Sequence, residues 1–221
     1  MTNGISETDG RLTAKGRAMR DRIVQSAAEL IFAAGARETT LDQVRSAVGA
    51  SKSQLYHYFG DKDELLCAVI DFQASLVMNA QQPELGAIDS IASLKRWRDK
   101  LVQLADAQGK IGGCPIGSLA NELAGHSEIH RRALAVHFDH WAALIEDGLL
   151  RMQASGRLGP SLDPKALSTT MLTALQGGLL LAKLQRSSTA LGAALDEIID
   201  FIERNSKPPK PRPQHPDNRK R

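Results

Sequence analysis

The sequence predicts an all-α fold: an N-terminal three-helix domain containing a helix-turn-helix, followed by a larger helical domain. Three observations carry this. Aromatic residues make up only 4% of the 221, and Ala and Leu supply most of the apolar content, which favours helices over strands. Apolar residues recur at helical spacing along most of the chain. Three capping boxes follow one another closely, pairing Thr40 with Gln43, Ser51 with Gln54 and Asp61 with Glu64.

Residues 1–17 read as a polar, disordered arm that ends in basic residues. From Met19, the stripe Ile23, Ala27, Leu30, Ile31 and Ala34 marks one helix face, with Gly35 as its C-cap. The first capping box starts a short helix with Leu41, Val44 and Val48 on one face, broken at Gly49. The second starts another, with Leu55 and Phe59 turned inward. Two short helices across a tight Gly-containing turn make a helix-turn-helix. The third box opens a longer helix through Leu65, Leu66, Val69 and Phe72, ending near Gln82–Pro83.

Beyond it the spacing predicts helices over 88–107, 115–125, 127–155, 163–185 and 190–205. Pro115 and Pro164 stand in first turns, and Ser127 and Asp163 are placed as N-caps. Residues 206–221 hold five Pro and six Lys/Arg and are expected to form a disordered basic tail. The predicted domains are therefore 18–65 and 66–205, between the arm 1–17 and the tail 206–221.

Charge is uneven. The net charge is +3, but residues 11–62 hold nine Lys/Arg against five Asp/Glu, whereas 63–205 hold 13 against 17. A basic head on an acidic body suits a polyanion partner. Two cysteines, Cys67 and Cys114, make no disulfide framework. No apolar leader is present at the N-terminus, and the longest strongly apolar run, GGLLLA, is far short of a membrane span. A cytoplasmic protein with no membrane contact is expected.

Both tyrosines of the chain, Tyr56 and Tyr58, flank His57 in the second short helix. In a helix-turn-helix that helix enters the major groove of double-stranded DNA, and its first residues meet base edges. Lys52, Ser53 and Gln54 occupy those positions, and Tyr56, His57 and Tyr58 follow about one turn later, within reach of phosphates. Thr40 and Lys62 sit at helix N-termini, where an amide and the helix dipole attract phosphate. Arg20, with Lys15, Arg17 and Arg22, adds positive charge from the N-terminal side. The competing account is packing, which aromatic residues on helices most often serve.

The stretch TTLDQVRSAVGASKSQLYHYFGDKDELL resembles the DNA-binding domain of the TetR family of bacterial transcriptional regulators. GGCPIGSLANELA and LQGGLLLAKLQRS are similar to the ligand-binding domain of its LmrA/YxaF-type branch. The resemblance implies a homodimeric repressor that binds a palindromic operator and releases it when a small-molecule effector enters the body. It further implies that the last two helices form a four-helix dimer interface. Leu167, Leu175 and Leu179 on one, and Leu195, Ile198, Ile199 and Ile202 on the other, are the residues expected there. Two positions depart from the pattern: Arg45 stands where a small residue is usual, and Ala50 where Val is common.

Bundle interiors are common ligand sites, apolar with a few polar groups. Trp97, Asn121, His137, Phe138, Trp141, Met171 and Gln176 are the candidate effector contacts, with core packing as the plainer account of the aromatic residues and Met171. An aromatic, weakly polar effector is expected from that composition and from the family. His126 and His130, and His137 and His140, have ligand-like spacing but no third partner at a convincing interval, so neither a metal nor a cofactor is expected. Cys114, in a Gly-rich loop, is expected to be an incidental thiol rather than a redox sensor. Gly177–Gly178 costs roughly 1 kcal/mol per Gly in a helix interior, which requires a close neighbour helix or a ligand. Two other functions stay open: a DNA-binding dimer that lacks an effector or activates transcription, and a helical-bundle enzyme. No catalytic sequence motif supports the enzyme.

Overall fold

The computed structural model describes residues 12–107 and 113–206, and among these the regular elements are helices without strands. The head comprises α1 (Ala14–Ala34), α2 (Leu41–Val48) and α3 (Lys52–Tyr58). Helix α4 (Lys62–Ala80) leads into the body, made of α5 (Ile91–Ala107), α6 (Pro115–Leu123), α7 (Glu128–Ala154), α8 (Pro164–Gln185) and α9 (Thr189–Ser206). The tail beyond Ser206 and most of the expected arm lie outside the described residues.

Capping chemistry sets the boundaries. The Thr40 and Ser51 boxes are reciprocal: each hydroxyl accepts from the N3 amide, while Gln43 and Gln54 accept from the N-cap amides. Gly49 follows in the left-handed conformation (φ 67°), which glycine adopts without strain. The third box is only half formed. Asp61 Oδ1 accepts from the Glu64 amide at 2.8 Å, but the Glu64 carboxylate turns to the Gly60 amide at 2.8 Å.

Two helix starts differ from the sequence reading. α1 begins at Ala14, inside the expected arm, because the Thr13 hydroxyl accepts from the Gly16 amide at 3.2 Å. A cap thus recruits a polar stretch that lacks an apolar stripe. α5 begins at Ile91 rather than 88. Ser93 Oγ accepts from the amides of Asp89 and Ser90, at 2.8 and 2.9 Å, and holds the preceding residues as a turn that buries Ile88.

One apolar cluster runs from Ile23 in α1 to Ile202 in α9. α4 belongs to both ends, so the boundary drawn at 65/66 crosses a continuous core. It buries Leu65, Leu66, Val69, Ile70 and Ala74 and packs against α1, α6 and α7.

The two glycines of α8 have different surroundings. A Cβ on Gly178 would fall 2.7 Å from Leu191 Cα in α9, so this glycine permits close helix approach. A Cβ on Gly177 would meet nothing within 4 Å.

Five of the seven expected dimer residues lie inside the protomer. Leu167, Leu175, Leu195, Ile199 and Ile202 are buried in the protomer's own core, because α8 and α9 turn those faces toward each other and the neighbouring helices. Leu179 and Ile198 are partly buried against the same core. The exposed apolar residues of these helices are Leu180, Leu181 and Leu184 on α8 and Phe201 on α9.

Gly178→Ala pushes α8 away from α9. Overpacking of this kind costs about 1–3 kcal/mol, more than the helix-propensity gain of roughly 1 kcal/mol. Urea unfolding at fixed protein concentration is expected to show a net loss of stability.

Candidate nucleic-acid interface and effector cavity

Helix α3 is anchored by Leu55 and Phe59, both essentially buried, and by the half-buried Tyr58 packed on the core. Its other face is open. Lys52, Ser53, Gln54, Tyr56 and His57 are exposed together, as the sequence predicts for a reading helix. Lys52 Nζ lies 5.9 Å from the Tyr56 ring centroid, and His57 meets Tyr58 edge-on at 5.1 Å. Gln54 uses Oε1 to accept from the Ser51 amide at 2.9 Å. This fixes the side chain at the helix start and leaves its NH2 as the free donor end.

The supporting positions divide. Thr40 is exposed at the α2 N-terminus. Arg20 stacks over Phe59 at 5.2 Å, so its guanidinium is held beside α3 rather than carried on a loose arm. Lys62, at the α4 N-terminus, donates its ammonium to the Arg37 carbonyl at 3.1 Å and braces the α1–α2 turn. Arg45 pairs with Asp42 at 3.1 Å, which accommodates a long residue in a place that is usually small. Ala50 is buried in the turn.

Between α6, α7 and α8 lies a cavity of about 870 Å³. Asn121, Phe138 and Gln176 are on its walls, as the sequence reading places them. Trp97, Trp141, Met171 and His137 are not. Trp97 is fully buried, and its Nε1–H donates to Gln81 Oε1 at 3.1 Å. Met171 is core, and Trp141 is buried beside Phe138, with ring centroids 6.3 Å apart. His137 bonds Asp71 of α4 at 2.7 Å. Helical spacing marks an inward face but does not say whether it meets side chains or space.

Sequence reasoning missed several wall residues, among them Cys114, Ser118, Ala142, Thr169, Thr173 and Lys183. The one available signal was the run of small residues. Gly117 admits the Gln176 side chain, whose Oε1 would stand 2.7 Å from a Cβ there. Gln176 Nε2 is buried, and its side chain stands beside the Cys114 thiol. Cys114 is the N-cap of α6, its Sγ accepting from the Gly117 amide at 3.4 Å. Burial pushes its thiol up from the ordinary value, against the lowering effects of that amide and of the Gln176 side chain, so at neutral pH it stays protonated.

Helix α6 has a second attachment. Glu122 Oε1 accepts from the Arg37 amide at 2.6 Å, while the Arg37 carbonyl takes the Lys62 bond. One peptide segment of the head is thus gripped by α6 on one side and by the start of α4 on the other. α7 meets α4 through His137–Asp71 and through buried His130, whose Nε2 stands 3.6 Å from Asp63 Oδ1. These histidines work singly between helices, not as pairs along α7.

A capped helix with an open polar face, on a helical body that carries a cavity, is the plan of a helix-turn-helix transcriptional regulator. The chain belongs to the TetR family of bacterial DNA-binding regulators. Residues 23–69 match the family described as bacterial regulatory proteins, tetR family, and residues 90–197 the LmrA/YxaF-like C-terminal domain. An HTH-type regulator from Mycobacterium tuberculosis H37Rv is 31% identical over 83% of this chain and 93% of its own. YxaF of Bacillus subtilis is 26% identical over 85% and 96%. The E. coli NemR crystal structure, reduced form, shares the fold with a TM-score of 0.75 at 21% identity, over 84% of this chain and 98% of that one.

Glu122→Ala removes the carboxylate that holds the Arg37 amide. Hydrogen exchange at that amide is expected to accelerate by at least about tenfold, the equivalent of one charge-assisted hydrogen bond, with α3 amides little changed.

Proposed function

We propose that this regulator is a homodimeric repressor that leaves a palindromic operator when a small molecule fills the cavity between α6, α7 and α8. One observation carries the reading: the helix that walls the cavity, α6, also grips the head through Glu122 and the Arg37 amide. A ligand that spreads α6 from α8 moves that grip. α7, tied to α4 by His137–Asp71, supplies a parallel route. The heads of a dimer must sit at a fixed spacing to meet successive major grooves, so a small shift at the α4 root lowers operator affinity.

In the operator complex, Lys52, Ser53 and the Gln54 amide face base edges, and Tyr56 and His57 flank them toward phosphates. Thr40 and Arg20 contribute backbone contacts. Lys62 acts through the Arg37 carbonyl, as a brace on the turn. Asn121, Phe138 and Gln176 contact the effector. Gln176, whose amide stands beside the Cys114 thiol on the cavity wall, can turn a donor to an acceptor on that molecule, and Phe138 offers an apolar ring. An aromatic, weakly polar compound meets both. The exposed leucines of α8 and Phe201 of α9 form the dimer face, in place of the residues buried in the core.

Fluorescence anisotropy with the DNA flanking its own gene tests the head. Lys52→Ala is expected to weaken the specific complex by about 1–3 kcal/mol and to lower the salt slope by roughly one ion. Equal loss on random DNA would remove Lys52 from base reading. For the body, Ala142→Trp fills the cavity. Operator affinity is expected to persist while release by any effector found in a screen disappears. Undiminished release would place the effector elsewhere.

A further inference from the structure

Lys183, near the C-terminal end of α8, is the one cation on the wall of the main cavity among the described residues. It also lines a smaller cavity of about 250 Å³ between α1, α4 and α6. Glu122 stands there too, engaged with the Arg37 amide and outside ion-pair distance of Lys183. The Lys183 stem is seated on backbone. Gly113 has φ 122°, and a Cβ there would fall 3.3 Å from Lys183 Cδ. A larger residue would be strained and would crowd that stem. The α8 dipole favours a cation at this end, but it does not require one held on a cavity wall. Lys183 is exposed, its helix carries no carboxylate, and it closes no ion pair among the described residues. Asp139, the carboxylate on the α7 side, closes none either, so the two do not neutralise each other. No glycine contact seats Asp139 as Gly113 seats Lys183.

We propose that the effector is an aromatic monoanion, whose carboxylate or equally acidic group pairs with Lys183 while its ring lies against Phe138. This rests on the reading of the cavity as the effector site, and it narrows the ligand from aromatic and weakly polar to aromatic with one charged end. The walls divide in the same way. Phe138 and Leu172 offer apolar surface, Asn121 and Gln176 offer neutral hydrogen bonds, and Lys183 offers the charge. An ion pair deep in an apolar core loses more in desolvation than it gains. Lys183 escapes that loss because it is exposed and keeps its contact with water until the ligand arrives. A neutral analogue of the same shape leaves the ammonium without a counter-charge, and a cationic one meets repulsion. Lys183 therefore sets the charge that the site accepts, and the aromatic wall sets the shape.

β-Naphthoate, β-naphthamide and β-naphthylmethylamine share a ring system and differ in charge. Isothermal titration calorimetry on the full-length protein is expected to rank the carboxylate at least about fivefold tighter than the amide, the worth of a charge-assisted contact at a partly exposed site. The amine is expected to bind weakest. Lys183→Met keeps the stem and removes the charge, and is expected to bring the carboxylate-to-amide ratio of dissociation constants to about one. Lys183→Arg restores the preference. A general disturbance of the cavity would weaken both compounds and leave their ratio standing. Ala142→Trp, which fills the cavity, abolishes binding of the whole series. A ratio that survives Lys183→Met, an amine that binds tightest, or no carboxylate binding at about 1 mM overturns the proposal and leaves the repressor reading to its own experiments. Binding undiminished in Ala142→Trp would remove the cavity as the site, and the proposal with it.

Discussion

The double burial of α4 is the constraint on which the rest depends. Five of its residues, from Leu65 to Ala74, lie inside the common core, and the helix packs on α1 in the head and on α6 and α7 in the body. Burying one such aliphatic side chain is worth about 1.5–3 kcal/mol, so detaching the head would be costly. Head and body are joined by a packed helix, not by a free linker. Under the proposed release, a change in how α6 and α7 sit against α4 is carried through α1 to the head.

Polar contacts then give this helix its direction. The Arg37 peptide segment is held by Glu122 through its N–H and by Lys62 through its C=O. The α4–α7 seam has one histidine–aspartate hydrogen bond and one looser, buried approach. A buried histidine without a hydrogen bond is unfavourable in a purely static interface. It suits a seam that has more than one arrangement, because its partner at 3.6 Å is reached by a small slide of either helix.

Helix α3 and its open face were legible because everything that defines them is local. Capping boxes, the turn glycine and the exposed order of Lys52, Gln54 and Tyr56 are properties of some twenty consecutive residues. The cavity was not, because a void is defined by what three distant segments fail to fill. Asn121, Phe138 and Gln176 were visible as polar or aromatic interruptions on helix faces. Trp97, Met171 and Trp141 gave the same signal and are core, since the sequence cannot distinguish an inward side chain that meets a neighbour from one that meets space. Lys62 shows the same limit for charge: its place at a helix start was readable, but the carbonyl it binds lies 25 residues earlier.

By itself, then, the sequence determined the helices, the caps that delimit them, and which face of α3 stays open, because these follow from short-range hydrogen bonding and the helical period. Tertiary structure decided which of two adjacent glycines admits a neighbouring helix, which leucines close the protomer and which stay outside, and where the cavity opens. Those depend on how helices far apart in sequence approach one another. A difference of one position along α8 turns Gly178 toward Leu191 and Gly177 toward open space. The 100° step between successive helical residues is encoded in the chain, but the neighbour each step meets is not.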